Sequence, residues 1–142
     1  MEWNYRGFPI KDDDLEGFVG FVYLIENTTN SRKYVGKKLL TKSKTFQVKK
    51  KKKRKRVESD WRDYHGSSEE LLKDVEVLGP SSFKRTILHL CRTKGEMTYL
   101  EAKEQFDRDV LLSHDYYNSW ISCRIRRPHV KGLTVRPRES RG

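Results

Sequence analysis

The sequence predicts a small α/β domain in which an antiparallel sheet is flanked by helices. Three observations carry that prediction. An apolar run, Phe18 to Ile25, is separated from a second short run, Arg32 to Lys37, by the turn-forming cluster Asn27-Thr28-Thr29-Asn30-Ser31, which reads as a hairpin. A stretch from Ser68 to Leu78 spaces its apolar residues helically and ends in Gly79-Pro80. A strand-like segment, Phe83 to Cys91, then precedes a second helical stretch from about Glu96 to Leu112.

Residues 1–16 hold Trp3, Tyr5 and Phe8 among polar residues without a clear period, and are expected as an irregular lead-in. The domain proper is expected over 17–123. Phe18 to Ile25 sets aromatic and branched residues at consecutive positions, the composition of a strand buried on both faces. If the turn centres between Thr28 and Thr29, Tyr23 stands opposite Tyr34, with both side chains on one face and about 5 Å apart at Cβ. A slip of one residue would send Tyr34 to the other face. On the hairpin alone two neighbouring phenols read first as an ordinary cross-strand aromatic pair, and second as a chemical site. Lys37 and Lys38 follow Gly36 directly, placed to meet a bound phosphate or to sit solvated. Residues 39–60 are dominated by Lys, Arg, Ser and Thr, and are expected as a flexible basic insertion that orders on nucleic acid.

Order resumes at Trp61. Ser67 with Glu70 reads as a capping box for the first helix, whose Leu71, Leu72, Val75 and Leu78 form the packing stripe. Just before it, Arg62, Tyr64 and His65 combine a fixed cation, a phenol and a titratable imidazole near a helix start, where phosphate binding is favoured. Each is also an ordinary surface residue type. In the second helix Tyr99, Ala102, Phe106 and Val110 form the expected apolar stripe. Glu101, Glu104 and Arg108 lie on another face, as a solvent-facing ladder with an ion pair four residues apart or as carboxylates for a hard divalent cation.

Hydrophobic content of 35% against 36% charged residues leaves little apolar material for a second domain. No apolar run approaches the roughly 20 residues of a membrane span, and the acidic start, with Asp12-Asp13-Asp14, does not read as a signal peptide. Cys91 and Cys123 lack paired spacing, which argues against a disulfide scaffold or zinc site and fits a reducing cytosol. The net charge of +11 is unevenly placed. Lys49, Lys50, Lys51, Lys52, Lys53, Arg54, Lys55 and Arg56 contribute +8 and the tail over 124–142 contributes +6, leaving the body at −3. A nearly neutral body with two basic arms points to phosphate backbones. A solvated, self-repelling run or an import-type patch would look the same.

Val22-Tyr23, ten intervening residues and Tyr34-Val35-Gly36 resemble the signature of the GIY-YIG nuclease family. Phe21 stands where the family has glycine, with Gly20 one place early. The resemblance spans about Gly17 to Ile121, and Tyr-His-Gly-Ser-Ser and Leu-Glu-Ala-Lys are also similar to small phage-encoded homing proteins of the Seg type. It implies a GIY-YIG-like domain with a small three-stranded antiparallel sheet, a basic loop and a basic C-terminal tail. It further implies Mg²⁺-dependent (or Mn²⁺-dependent) hydrolysis of DNA, of a homing or nicking type.

In that reading Tyr23 is the general base, which requires a cation-rich site because a free phenol titrates near 10. Tyr34 orients water or phosphate, and Arg62 stabilises transition-state charge, with His65 beside it. Glu101 is the metal ligand, with Glu104 its rival, and Asn118, in a Tyr-Asn context, buttresses the site. Lys37, Lys38 and the run Lys49 to Arg56 would contact DNA. The protein would work as a monomer or transient homodimer in the cytoplasm, that of a bacterial host if phage-encoded. Two other readings fit the charge: a non-catalytic DNA binder with a nuclease-like fold, and an RNA binder using exposed aromatics.

Overall fold

The computed structural model describes residues 2–134. Its sheet is not three-stranded: five strands pair in a mixed sheet, and two more form a separate ribbon. The strands are β1 (Trp3–Tyr5), β2 (Phe8–Pro9), β3 (Gly20–Asn27), β4 (Lys33–Leu39), β5 (Thr41–Val48), β6 (Lys51–Glu58) and β7 (Phe83–Cys91). The helices are α1 (Glu69–Leu78) and α2 (Lys94–Asp107). In the main sheet the order is β2-β1-β7-β3-β4.

The extra strands come from the lead-in. β1 pairs parallel to β7, and β2 folds back on β1 across Arg6 and Gly7, both in left-handed backbone. A three-residue strand has no room for a period, so it left no pattern in the sequence. What anchors it is Trp3. Its ring is buried against Phe21 and Tyr23, and its indole N–H donates to the Trp61 carbonyl at 2.7 Å. Burying a ring of that size stabilises by about 2–3 kcal/mol.

β3 lies between β7 and β4 and is buried on both faces, as its unbroken apolar run requires. Phe21, Tyr23 and Ile25 face a core shared with Trp3, Trp61 and Leu71 of α1. Val22 faces the other way, with Val35, Cys91, Met97 of α2 and Val110. The β3–β4 register is two residues from the expected one: Tyr23 stands opposite Gly36, and Tyr34 opposite Ile25. The turn centre shifts because the Asn27 side chain accepts from the Thr29 N–H and hydroxyl and Ser31 takes a left-handed conformation. An offset of two keeps both tyrosines on one face, now as diagonal neighbours.

The cap of α1 is Ser68, which accepts from the Leu71 N–H, and not Ser67. α2 starts two residues early on a Thr93 cap and ends at Asp107, short of the expected Leu112. Its buried face is Met97, Ala102 and Gln105, whereas Tyr99 and Phe106 of the expected stripe are exposed. Gln105 is buried because its amide donates to the Val35 carbonyl, a partnership that apolar periodicity does not reveal.

The expected basic loop is instead the β5–β6 ribbon, a hairpin closed by Lys49-Lys50 and paired from Thr41↔Glu58 to Val48↔Lys51. Lacking a face against the body, it shows no apolar period. Ser59 ties its base to β4 through bonds between its N–H and the Leu40 carbonyl and between its hydroxyl and the Leu39 carbonyl. Residues 135–142 of the basic tail lie outside the described residues. No helix among the described residues is long and apolar enough to cross a membrane.

Candidate active site

The outer edge of β4 faces an open cleft of about 850 Å³, closed on its sides by the start of α1, by α2 and by the segment after Tyr116. Tyr23, Tyr34, Lys37, Glu101 and Asn118 all line it. Their convergence begins with Gly36. Because it carries no side chain, the Tyr23 phenol lies across it from the next strand, and an added Cβ would overlap that phenol's oxygen. Between β3 and β7 the register shifts just before Tyr23, leaving Leu88 as an extra residue that re-aims the strand.

The Tyr23 ring is almost wholly buried, 6.2 Å from the Tyr34 ring and 5.9 Å from that of Tyr64. Burial pushes its hydroxyl well above the ordinary phenol range, and the neighbouring tyrosines push the same way. Burial raises Tyr34 too, partly offset by its 2.9 Å hydrogen bond with the Ser67 hydroxyl. Both phenols are therefore neutral in the free protein at physiological pH. The phenolate at Tyr23 that a cation-rich site was expected to favour is opposed by this environment.

Glu101 reaches the cleft from α2, with its side chain 14% exposed. Burial raises its carboxyl above the ordinary range, and Lys37, whose ammonium is 3.9 Å away, partly counters this. Lys37 itself donates to the Thr98 hydroxyl at 2.9 Å. Glu104 points elsewhere: its carboxylate bonds His89 at 2.8 Å and Arg108 at 3.0 Å, which holds it at about 2. It is a structural ion pair away from the cleft.

Asn118 acts on the backbone. Its side-chain oxygen accepts from the Val35 N–H at 3.0 Å and its amide donates to the Val35 carbonyl at 2.8 Å, so one side chain pairs the edge strand as a further strand would. Gln105 donates to the same carbonyl at 3.1 Å. Backbone bonds from Lys33 to Asp115 and from Tyr117 to Lys33 continue this edge, and the Tyr117 hydroxyl ties it to Asp74 of α1 at 2.6 Å. An open sheet edge is thereby closed beside the cleft.

Arg62 and His65 are not brought to this cleft. Arg62 bridges Asp12 at 3.0 Å and Glu58 at 2.8 Å and stacks on Trp61, and with His65 it lines a separate cavity beside Trp3 and Arg85. His65 bonds the Asp63 carbonyl, while burial lowers its imidazole below the usual range. Lys38 pairs with Asp60 at 2.5 Å over the Tyr64 ring, and Lys49 to Arg56 lie out on the ribbon. The cations at the cleft are Lys37 and Lys73. Sequence reasoning passed over Lys73 and Gln105, and read Ser67 only as a helix cap. Lys73 had a signal: it is the one basic residue of α1, the helix that follows the second tyrosine motif.

No group of three or more His, Cys, Asp or Glu side chains suited to a metal occurs among the described residues. Glu69 and Glu70 also line the cleft, Glu70 paired with Arg32, while Glu101 is the desolvated carboxylate there. One such group fits Mg²⁺, which often takes one or two protein carboxylates and fills its shell with water and phosphate oxygens.

At the edge of a mixed sheet, the cleft brings the phenols of Tyr23 and Tyr34 together with the carboxylates of Glu69, Glu70 and Glu101 and the ammonium groups of Lys37 and Lys73. The family model described as "Putative endonuclease segE, GIY-YIG domain" matches residues 3–121, and the chain belongs to this family. The match begins within β1, at Trp3. No curated protein and no solved structure matches the chain.

Proposed function

We propose that the chain is a DNA endonuclease that hydrolyses phosphodiester bonds with Mg²⁺ (or Mn²⁺) held at Glu101. The observation that carries this reading is the meeting of Tyr23, Tyr34, Glu101 and the two lysines on one cleft at the edge of β4. Lys37 and Lys73 are the cations placed to receive a phosphate and to offset charge on its oxygens in the transition state. They take the role that the family resemblance implied for Arg62. Tyr34, steered by Ser67, orients the attacking water or the phosphate. Positive charge in the filled cleft lets Tyr23 release its own proton to solvent against the burial that opposes its phenolate. The phenolate then takes the proton of the attacking water. When bound, the divalent cation supplies Lewis-acid stabilisation of the phosphate and of the leaving oxygen. Asn118 and Gln105 hold Val35, and with it the strand carrying Tyr34 and Gly36, in place.

One cleft attacks one strand at a time, so a monomer nicks and a transient homodimer cuts both strands. Either suits a homing or nicking role for a phage protein. Supercoiled plasmid incubated with Mg²⁺ or EDTA tests the reading. Open-circular or linear product with metal alone supports it, and retardation of the DNA without any cutting leaves the chain a binder.

A further inference from the structure

The ribbon takes no part in the cleft, yet it carries the longest basic run of the chain. Its register sorts side chains onto two unlike faces. One face sets Lys44 opposite Lys55, Phe46 opposite Lys53 and Val48 opposite Lys51. Ammonium groups there meet phosphates as point charges. The other face sets Thr45 opposite Arg54 and Gln47 opposite Lys52. Base edges are hydrogen-bonded by Arg or Lys at guanine, by Gln at adenine and by Thr at either, and of the two faces only this one carries hydroxyl, amide and guanidinium groups. Nearer the base, Arg56 donates to the Thr41 carbonyl and to the hydroxyls of Thr41 and Ser43, which stiffens that same face.

Shape selects the partner. Each strand has eight residues, which at about 3.3 Å apiece gives a reach of about 25 Å. The major groove of B-DNA, about 12 Å wide, admits a two-stranded ribbon. The deep, narrow major groove of A-form RNA does not. At the tip Lys49 and Lys50 both sit at left-handed φ, 48° and 63°, where Asn-Gly is the unstrained choice. Charge is thus kept at the tip against local conformational preference.

We propose that the ribbon enters the major groove of duplex DNA and that its Thr45, Gln47, Lys52 and Arg54 face reads base edges, giving the protein a sequence preference. The proposal deepens the DNA reading of the cleft and rests on it. Duplexes with a randomised 20-base-pair core are selected by full-length protein in EDTA, which keeps cleavage out of the readout. The combined variant Thr45→Ala, Gln47→Ala, Arg54→Lys keeps the charge, whereas Lys44→Ala, Lys53→Ala, Lys55→Ala removes three.

The wild type should enrich a site. The first variant should lose the enrichment while binding unselected duplex within about threefold of wild type. The second should keep the site but bind more weakly, with a salt slope lower by about 2.7. Absence of an enriched site in the wild type, enrichment unchanged in the first variant, or equal competition by double-stranded RNA overturns the proposal. Plasmid cutting with Mg²⁺ is scored separately, so a protein that selects a site but never cuts removes the nuclease reading and leaves the ribbon's role standing.

Discussion

Gly36→Ala tests the packing that brings the two tyrosines together. The glycine is required for space and not for conformation, since its φ is not left-handed. A Cβ at this position would lie 2.6 Å from Tyr23 Cζ and 2.9 Å from Tyr34 Cε1, and would overlap the Tyr23 hydroxyl. Aromatic rings cannot bend aside as a flexible tail can. The Tyr23 ring is also wedged by Trp3 at 5.3 Å and Tyr64 at 5.9 Å. Adding a methyl to such a core costs about 1–3 kcal/mol, or about 3–9 °C in Tm for a chain of this size. A displacement of the phenols by about 1 Å would lower turnover about a hundredfold.

Gly17→Ala is the control: its φ is +83° with nothing within 4 Å of the added Cβ, so it costs backbone strain of about 1–2 kcal/mol. Thermal melts followed by circular dichroism, with plasmid nicking at saturating protein, give both readouts. Both variants should melt lower, and Gly36→Ala alone should lose turnover. A Gly36→Ala protein that melts and cuts like wild type would refute the packing argument.

Asn118→Ala removes both side-chain bonds to Val35 and should cost about 1–3 kcal/mol; loss of hydrogen-exchange protection at the Val35 amide would report it, and unchanged protection would contradict it. Lys73→Ala should lower kcat about 10–100-fold with little change in DNA affinity, and Lys73→Arg should restore much of it, measured under single-turnover conditions. Glu104, held at about 2 against an ordinary 4.5, adds stability that is present above pH 4.5 and is lost as pH falls toward 2. That contribution is at most about 3 kcal/mol. Urea melts of Glu104→Gln should therefore show a deficit at pH 7 that closes across this window, with cleavage intact at neutral pH.

Strong local signals made much of the fold legible. The apolar run of β3, the polar turn after it, the Gly79-Pro80 stop and the strand from Phe83 to Cys91 all state their structure locally. What escaped depended on partners distant in sequence. β1 exists because β7 offers it an edge and Trp61 accepts its indole proton. The ribbon has no buried face and so no period. Among the candidate residues, Tyr23, Tyr34 and Glu101 meet at one cleft because the two motifs and the second helix fix their places. Arg62 and His65 were chosen by residue type, and the chain carries them to the far side of Trp61, where Asp12 and Glu58 hold the guanidinium. Gln105 owes its place to the Val35 carbonyl of β4, a partner distant in sequence that leaves no local pattern.

The most direct test of the nuclease assignment is cleavage of a labelled duplex by Glu101→Gln beside wild type, with Mg²⁺ and with EDTA, after matching their DNA binding. Burial disfavours the Glu101 charge, so the neutral amide should fold and melt no lower than wild type. The variant should bind DNA within about threefold of wild type yet cut about a thousandfold more slowly. Metal-dependent cutting at the wild-type rate by Glu101→Gln would contradict the assignment of this cleft.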